Sequence, residues 1–320
     1  MTSPTLQVKV RNAIRETSDI LRIELIHIKD EQLPEFSAGA HIDLFLENNL
    51  IRQYSLSNNS SQRDYYEIAV LKESDGGGGS AYIHQNIKRG LEIKISVPRN
   101  NFPLAQDVDK HLLLAGGIGV TPMMSMIEDL VAQKADYILH YCTRSIEQTA
   151  FYERLKPLEK SGHVVFHHDG GDPNSGFDIG NFLSKQTLGA HIYFCGPPSF
   201  MKAVENGTQG WPKDTIHSEY FIPPETRKAA EPKTQEFQVK IASTGKVFSI
   251  SKTQSIVEVL RDNGMSIDTS CEDGYCGTCM TRFLDGEPEH RDLVLDEDDR
   301  KEFVLICCAR SKTPTLVLDL

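Results

Sequence analysis

Four of the seven cysteines in this chain are spaced as ligands of an iron-sulfur cluster. Cys271, Cys276 and Cys279 form a C-x4-C-x2-C array, and Cys307 follows after twenty-seven further residues. This is the spacing of plant-type two-iron two-sulfur centres. A zinc site usually takes two Cys pairs, and buried structural cysteines need no fixed offsets, so both alternatives fit less well. The C-terminal segment is therefore predicted to carry single electrons.

The residues inside and after the array support this prediction and leave one ligand open. Gly274 and Gly277 let the backbone wrap around sulfide and point amide hydrogens at it. Cys307 and Cys308 are adjacent, so only one of them serves as the fourth ligand. Disulfides are not expected, because nothing in the sequence indicates secretion.

Two glycine-bearing loops are candidates for binding a nucleotide. Gly116-Gly117-Ile118-Gly119 follows an apolar strand and opens a helix, where backbone amides and the helix dipole receive a pyrophosphate. Cys195-Gly196 ends a later strand of the same type. Ligands bind at the carboxyl ends of parallel strands, so the two loops are expected to face one crevice. The alternatives are a tight turn that needs glycine for packing and, at Cys195, a buried core thiol.

The first hundred residues contain two further candidate segments. Residues 76–79 are four glycines followed by Ser80, which suits either a flexible linker or an anion-binding nest. Arg52-Gln53-Tyr54-Ser55 places a cation, an aromatic ring and a hydroxyl in one strand.

The predicted elements change character along the chain. Six short alternating strands in the first hundred residues indicate an antiparallel β-barrel or sandwich. From His111, apolar strands alternate with amphipathic helices, which is typical of a parallel α/β sheet. The polar stretch 223–237 is interpreted as a linker. It is followed by a hairpin, a helix and the cysteine array. The prediction is three folding units, with domains at 1–106, 107–225 and 236–320 and a linker at 226–235.

Charge and hydropathy exclude several classes of function. The net charge of -11 argues against nucleic acid, whose binding depends on Lys and Arg. No apolar run is long enough to span a bilayer, so a cytoplasmic protein without a membrane partner is expected. The acidic run at 296–299 is either a solvated helix face or an electrostatic docking surface for a redox partner.

Taken together, these motifs resemble the phthalate dioxygenase reductase family over essentially the whole chain. The segments that carry the resemblance are RQYSL and GGGGS, then GGIGVTP and CGPPSF, then CEDGYCGTC, EHRD, ICCARSK and LVLDL. The resemblance implies an FMN-binding β-barrel, an NADH-binding α/β domain and a C-terminal α+β (β-grasp) ferredoxin-like domain. It selects Cys307 over Cys308 as the fourth cluster ligand.

The resemblance also implies roles for individual residues, with Ser55 and Cys195 as the catalytic pair. Asp169 is expected to bind the adenosine ribose and favour NADH, although Arg144 close by would suit the 2′-phosphate of NADPH. Leu71 departs from the basic residue often found there. The expected flavin contacts are Arg52, Gln53, Tyr54, Ser55, Ala69, Val70, Gly78, Gly79, Ser80 and Phe221, and the expected nucleotide contacts are Gly117, Thr121, Pro122, Thr143, Arg144, Asp169, Cys195 and Gly196.

The implied activity is electron transfer from NADH through FMN and the cluster to a Rieske-type oxygenase. Flavin is required because NADH delivers a hydride, whereas an iron-sulfur centre accepts one electron. The alternatives are a reductase for another type of monooxygenase and a stand-alone redox carrier or sensor. A monomer is expected for a carrier that visits its partner transiently.

Overall fold

The computed structural model describes residues 4–47, 50–73, 78–184, 189–221, 235–269, 271–275 and 277–320. They form two compact units. The larger comprises Thr5–Leu50 and Tyr54–Ile222, and the smaller comprises Pro223–Leu320 with the short segments Met1–Pro4 and Ile51–Gln53. The predicted linker lies outside the described residues except for Gln235, and the predicted domain boundaries remain predictions.

The first six strands form one sheet in the order β4-β3-β6-β1-β2-β5. Strand β1 pairs antiparallel with both β2 and β6, and β2 pairs antiparallel with β5. Val8 and Val10 alternate with less buried residues in β1, as expected when one face of a strand packs against a core. All six strands were predicted from the sequence. Their bounds are β1 Thr5–Arg15, β2 Ile20–His27, β3 His41–Phe45, β4 Ile51–Ser55, β5 Tyr66–Leu71 and β6 Glu92–Ser96, with helix α1 at Gly79–Asn86.

The next five strands form a parallel sheet in the order β11-β10-β7-β8-β9. Leu112, Leu113, Leu114 and Ala115 are consecutive and all buried, which is typical of a strand covered on both faces. Helix α2 spans the segment predicted from its amphipathic pattern. The bounds are β7 Lys110–Gly116, α2 Val120–Gln133, β8 Tyr137–Thr143, α3 Tyr152–Lys160, β9 Val164–His168, α4 Ile179–Leu183, β10 Ala190–Cys195, α5 Pro198–Gly207 and β11 Ile216–Glu219.

The smaller unit contains a mixed five-stranded sheet, β13-β12-β18-β14-β16, and a two-stranded sheet, β15-β17. The predicted hairpin is β12-β13, and the predicted helix α6 ends before Gly264, whose φ is +80°. Ser255 and Glu258 form a capping box at its start. The bounds are β12 Phe237–Ile241, β13 Val247–Ile250, α6 Ile256–Asp262, β14 Met280–Asp285, β15 Pro288–Glu289, β16 Phe303–Leu305, β17 Arg310–Ser311 and β18 Thr315–Leu318.

Within the described part of the chain, no helix has both the length and the apolar character needed to cross a bilayer.

A buried carboxylate joins the antiparallel sheet to the parallel sheet inside the larger unit. Glu67 of β5 is 2% exposed. Its Oε2 accepts from Arg22 at 2.9 Å, and its Oε1 accepts from Arg154 of α3 at 2.6 Å and from Ser57 at 2.9 Å. A carboxylate removed from water this far is stable only with such partners. The network therefore fixes how the two sheets pack.

Replacing Glu67 with glutamine is expected to lower the free energy of unfolding of the larger unit by about 3 kcal/mol, because two arginines then face a neutral amide. Urea unfolding at fixed flavin concentration measures the effect. The matched control is Glu35→Gln. Glu35 pairs with Arg63 at 2.8 Å, but its side chain is 80% exposed, so a loss below about 1 kcal/mol is expected. Equal losses in both variants would contradict the structural role of Glu67.

Candidate functional site

The two glycine loops meet at the carboxyl edge of the parallel sheet. A Cβ atom on Gly119 would lie 2.2 Å from the carbonyl oxygen of Cys195, and one on Gly196 would lie 3.1 Å from the Cα of Gly116. Gly119 has φ of -62°, a value open to any residue, so the site requires glycine there for space. The structure thus brings the loops together as the sequence predicted.

The first glycine loop presents backbone rather than side chains. Gly117 has φ of +54°, and a Cβ there would meet nothing within 4 Å. Thr121 and Pro122 are buried, and the Thr121 hydroxyl donates to the Ile118 carbonyl at 3.0 Å. These two residues therefore shape the start of helix α2. An open loop leading into a helix N-terminus fits a pyrophosphate, which backbone N–H groups bind without side chains.

Two further predicted residues come together at the neighbouring strand ends. The amide of Asp169 donates to the carbonyl of Thr143 at 3.2 Å, and Gly170 donates to the carbonyl of exposed Arg144 at 3.0 Å. Thr143 is buried, and its hydroxyl bonds to His168 Nδ1 at 2.9 Å. Asp169 Oδ1 accepts from the Gly171 amide at 2.7 Å, which orients the carboxylate. A carboxylate fixed at this edge fits the hydroxyls of a ribose.

A buried polar group lies where the two sheets of the larger unit meet. Cys195 and Glu219 are register partners at the ends of β10 and β11. The Ser55 hydroxyl at the end of β4 donates to Glu219 Oε2 at 3.1 Å. The Glu219 side chain is 11% exposed, and burial raises its pKa to about 8 despite the bond from Ser55. Burial, with Glu219 nearby, also raises the pKa of Cys195. Both groups are therefore protonated at neutral pH.

The sequence predicted Ser55 and Cys195 but missed Glu219. Phe221, two residues later, was predicted instead, and it packs partly buried against the core of the parallel sheet. The sequence held one indication of Glu219, which is a carboxylate at the end of a strand in a sheet whose strand ends bind ligands. Its partner Ser55 is 164 residues away, so spacing alone does not reveal the pair.

The candidate phosphate loop adjoins the end of β5. Gly78 has φ of +81° and caps α1, which Gly79 begins. The Ser80 hydroxyl accepts from the Glu73 amide at 3.1 Å, and its own hydrogen is a donor that suits an anion. Gly76 and Gly77 lie outside the described residues.

Strands β4 and β5 carry the other predicted flavin contacts. Ala69 and Val70 are buried in β5, and a 2.9 Å hydrogen bond joins the Val70 carbonyl to His84 of α1. Arg52, Gln53 and Tyr54 lie on β4, where the Arg52 guanidinium donates to the Ile51 carbonyl at 2.8 Å. Within the larger unit, an aromatic side chain and an anion nest fit the ring and phosphate of a flavin mononucleotide.

Three of the predicted cluster ligands converge in the smaller unit. Hydrogen bonds with Cys271, Cys279 and then Cys308 raise the pKa of Cys307, which places its thiol among them. Among the described residues, no group of three or more His, Cys, Asp or Glu side chains is arranged to hold a single metal ion. Cys276 lies outside the described residues. The sulfur of Cys308 also contacts the Leu305 carbonyl at 3.7 Å. This arrangement favours Cys307 as the fourth ligand.

The backbone around these thiols suits a cluster with bridging sulfide. The φ angle is positive at Gly274 (+76°), at Gly277 (+74°) and at Glu272 (+56°), so the loop folds tightly. The Tyr275 amide points at Cys271 Sγ, 3.5 Å away. Amides directed at sulfur stabilise a cluster of net negative charge. The donor set therefore fits a two-iron two-sulfur centre.

Comparison with known families gives three matches in the predicted order. An oxidoreductase FAD-binding domain matches residues 5–103, an oxidoreductase NAD-binding domain matches 113–206, and a 2Fe-2S iron-sulfur cluster binding domain matches 239–312. The reductase subunit of tert-butanol monooxygenase / tert-amyl alcohol desaturase from Aquincola tertiaricarbonis is 41% identical over 98% of this chain and 96% of its own.

Phthalate dioxygenase reductase from Burkholderia cepacia is 38% identical, and the match covers 100% of both chains. The chain belongs to the phthalate dioxygenase reductase family. A solved phthalate dioxygenase reductase structure superposes with a TM-score of 0.72 at 38% identity, over 99% of this chain and 98% of that one. Membership confirms the predicted three-part fold and the cofactors FMN, NADH and a two-iron two-sulfur cluster. The protein is an oxidoreductase that passes electrons from NADH through flavin to that cluster.

Proposed function

We propose that this reductase supplies electrons to a Rieske-type oxygenase, and that it does so as a cytoplasmic monomer. The observation that carries the proposal is full-length similarity to reductases named for oxygenase systems, among them phthalate dioxygenase reductase. A Rieske partner accepts single electrons, which is what a plant-type cluster delivers. Free thiols as cluster ligands suit a reducing compartment.

The acidic run of the smaller unit supports a protein acceptor. Asp296, Glu297 and Asp298 are exposed, and residues 235–320 carry a net charge of -6 from sixteen acidic and ten basic residues. Exposed charge of one sign steers a partner of opposite charge and raises the rate of encounter.

Within the larger unit, we assign the strand-end crevice to NADH and the end of β5 with the α1 N-terminus to FMN. When bound, FMN accepts a hydride from NADH and returns electrons singly, which is chemistry that protein side chains do not supply. The residues bind and orient. Gly119 and Gly196 let the two loops that bind the nucleotide pack closely against each other, Gly78 and Ser80 bind phosphate, and Ser55 fixes Glu219 beside the neutral thiol of Cys195.

The partner is tested by reconstitution. Purified Rieske oxygenase components and a purified cytochrome P450 are each mixed with the reductase and NADH, and substrate oxidation per NADH consumed is measured. The proposal predicts coupled turnover with a Rieske component that weakens with salt. Coupled turnover with the P450 alone would contradict it. Sedimentation of the purified protein as a dimer would contradict the monomer.

The Asp169→Asn variant is expected to raise the KM for NADH about tenfold. A charge-assisted hydrogen bond from the ribose stabilises bound NADH by roughly 1.5 kcal/mol, and losing it corresponds to about that factor. Asparagine keeps an oxygen for the Gly171 amide, so the loop geometry is retained. The KM for NADPH is expected to fall, since the repulsion of its 2′-phosphate is removed. Asp172→Asn in the same exposed loop is the control, and equal KM values in the two variants would contradict the role of Asp169.

A further inference from the structure

His41, the first residue of β3, is a buried histidine to which the activity assigns no role. It is 1% exposed, and neither ring nitrogen has a hydrogen-bond partner among the described residues. Its backbone pairs with Arg99, so the strand register fixes where the ring lies. A buried polar group without a partner is rare in proteins and calls for an explanation.

The His41 ring lies near the carboxyl of Glu219. Its Oε1 lies 3.8 Å from His41 Nδ1, while its Oε2 accepts from the Ser55 hydroxyl at 3.1 Å. The two oxygens of one carboxyl thus face two different side chains. A movement of about 1 Å brings Oε1 and Nδ1 within hydrogen-bond distance.

The protonation states determine the direction of such a bond. Burial raises the pKa of Glu219 to about 8, so the carboxyl carries a proton at neutral pH. Burial and the charge of Arg99 lower the pKa of His41 to about 3, so the imidazole is neutral and one nitrogen is an acceptor. Arg99 itself pairs with Asp43 at 2.7 Å, and Cys195 lies beside Glu219 on the neighbouring strand.

We propose that His41 is a positioning residue whose Nδ1 accepts a hydrogen bond from protonated Glu219. The bond fixes the proton on Oε1 and leaves Oε2 as the acceptor for Ser55, so that the carboxyl stays neutral beside Cys195. A hydrogen bond made to the neutral form of an acid disfavours its ionisation.

A neutral Glu219 has a consequence for the nucleotide. The nicotinamide ring is uncharged in NADH and positively charged in NAD⁺, so an ionised carboxylate beside it stabilises the product more than the substrate. By keeping Glu219 neutral, His41 weakens binding of NAD⁺ relative to NADH and favours product release. This consequence rests on the proposed binding of NADH in the strand-end crevice, with its nicotinamide beside Cys195, whereas the bond between His41 and Glu219 does not.

The inference is tested on the full oxidised holoprotein by infrared spectroscopy across pH. Loss of a protonated-carboxyl band in Glu219→Gln assigns that band to Glu219. In the wild type its titration midpoint is expected above pH 8, because burial raises the pKa to about 8 without the bond to His41, and that bond raises it further. In His41→Phe, which removes the acceptor at similar volume, the midpoint is expected to fall by about one unit or more. His41→Gln, whose amide oxygen still accepts, is expected to restore it.

The NAD⁺ dissociation constant at about pH 8.5, between the expected midpoints of the wild type and His41→Phe, supplies a second readout. It is expected to fall several-fold in His41→Phe and to stay near the wild-type value in His41→Gln. A midpoint that is unchanged or raised in His41→Phe overturns the inference. A lowered midpoint with unchanged NAD⁺ binding upholds the His41–Glu219 bond and overturns the placement of the nicotinamide.

A measurement on the wild type keeps the inference testable if His41→Phe does not fold. Nitrogen NMR of histidine-labelled protein distinguishes the two neutral tautomers of the ring. The inference requires an unprotonated Nδ1 with the proton on Nε2. A proton on Nδ1 of His41 overturns it.

Discussion

The Cys307→Ser variant is expected to lack the visible absorbance of the two-iron two-sulfur cluster, whereas Cys308→Ser keeps it. Iron in these clusters requires soft thiolate ligands, and a serine hydroxyl is a hard donor that stays protonated at neutral pH. The Cys307 thiol lies among those of Cys271 and Cys279, and that of Cys308 also contacts the Leu305 carbonyl. Iron and acid-labile sulfide per protein measure the effect, with at least a tenfold loss expected in Cys307→Ser alone.

The two variants control for each other, because both replace one sulfur by oxygen at adjacent positions. FMN content is expected to be unchanged in both, since the flavin residues belong largely to the other compact unit. Cluster loss in Cys308→Ser with retention in Cys307→Ser would reverse the assignment of the fourth ligand.

The Gly119→Ala variant is expected to slow reduction of the bound flavin by NADH about a hundredfold, a typical effect of displacing a reacting group by about 1 Å. The added methyl carbon would lie 2.2 Å from the oxygen and 2.4 Å from the carbon of the Cys195 carbonyl. Backbone cannot move aside as a side chain does, so the two loops must separate. The alanine itself is unstrained at this φ, which isolates the steric effect.

Gly210→Ala is the matched control, because a Cβ there meets nothing within 4 Å. Stopped-flow absorbance under anaerobic conditions measures flavin reduction, and dithionite reduction shows that flavin and cluster are both present. Equal NADH rates in Gly119→Ala and Gly210→Ala would contradict a nucleotide site formed by the two loops.

The elements and the presence of an iron-sulfur domain were predictable because their main determinants are local. Alternation of apolar residues in β1, the amphipathic pattern of α2 and the spacing of Cys271, Cys276 and Cys279 are each read within a few residues. The glycines of the two loops were also predictable as a pair, since both follow apolar strands of one parallel sheet.

What the sequence did not reveal depends on contacts between distant segments. Glu219 acquires its raised pKa and its partner Ser55 only when β4 and β11 meet, and His41 enters the same group from a third strand. The Glu67–Arg154 pair likewise joins two segments that were predicted as separate domains. Burial of a polar residue is a property of packing, and no spacing rule marks it in advance.

Anaerobic titration with NADH, followed by visible absorbance, tests the electron path most directly. FMN takes two electrons and the cluster one, so the wild type should bleach at both chromophores with about 1.5 NADH per protein. Cys307→Ser, which retains only the flavin, should require about one. Full flavin bleaching in the wild type at about one NADH, with the cluster still oxidised after further additions, would contradict transfer of electrons from NADH through flavin to the cluster.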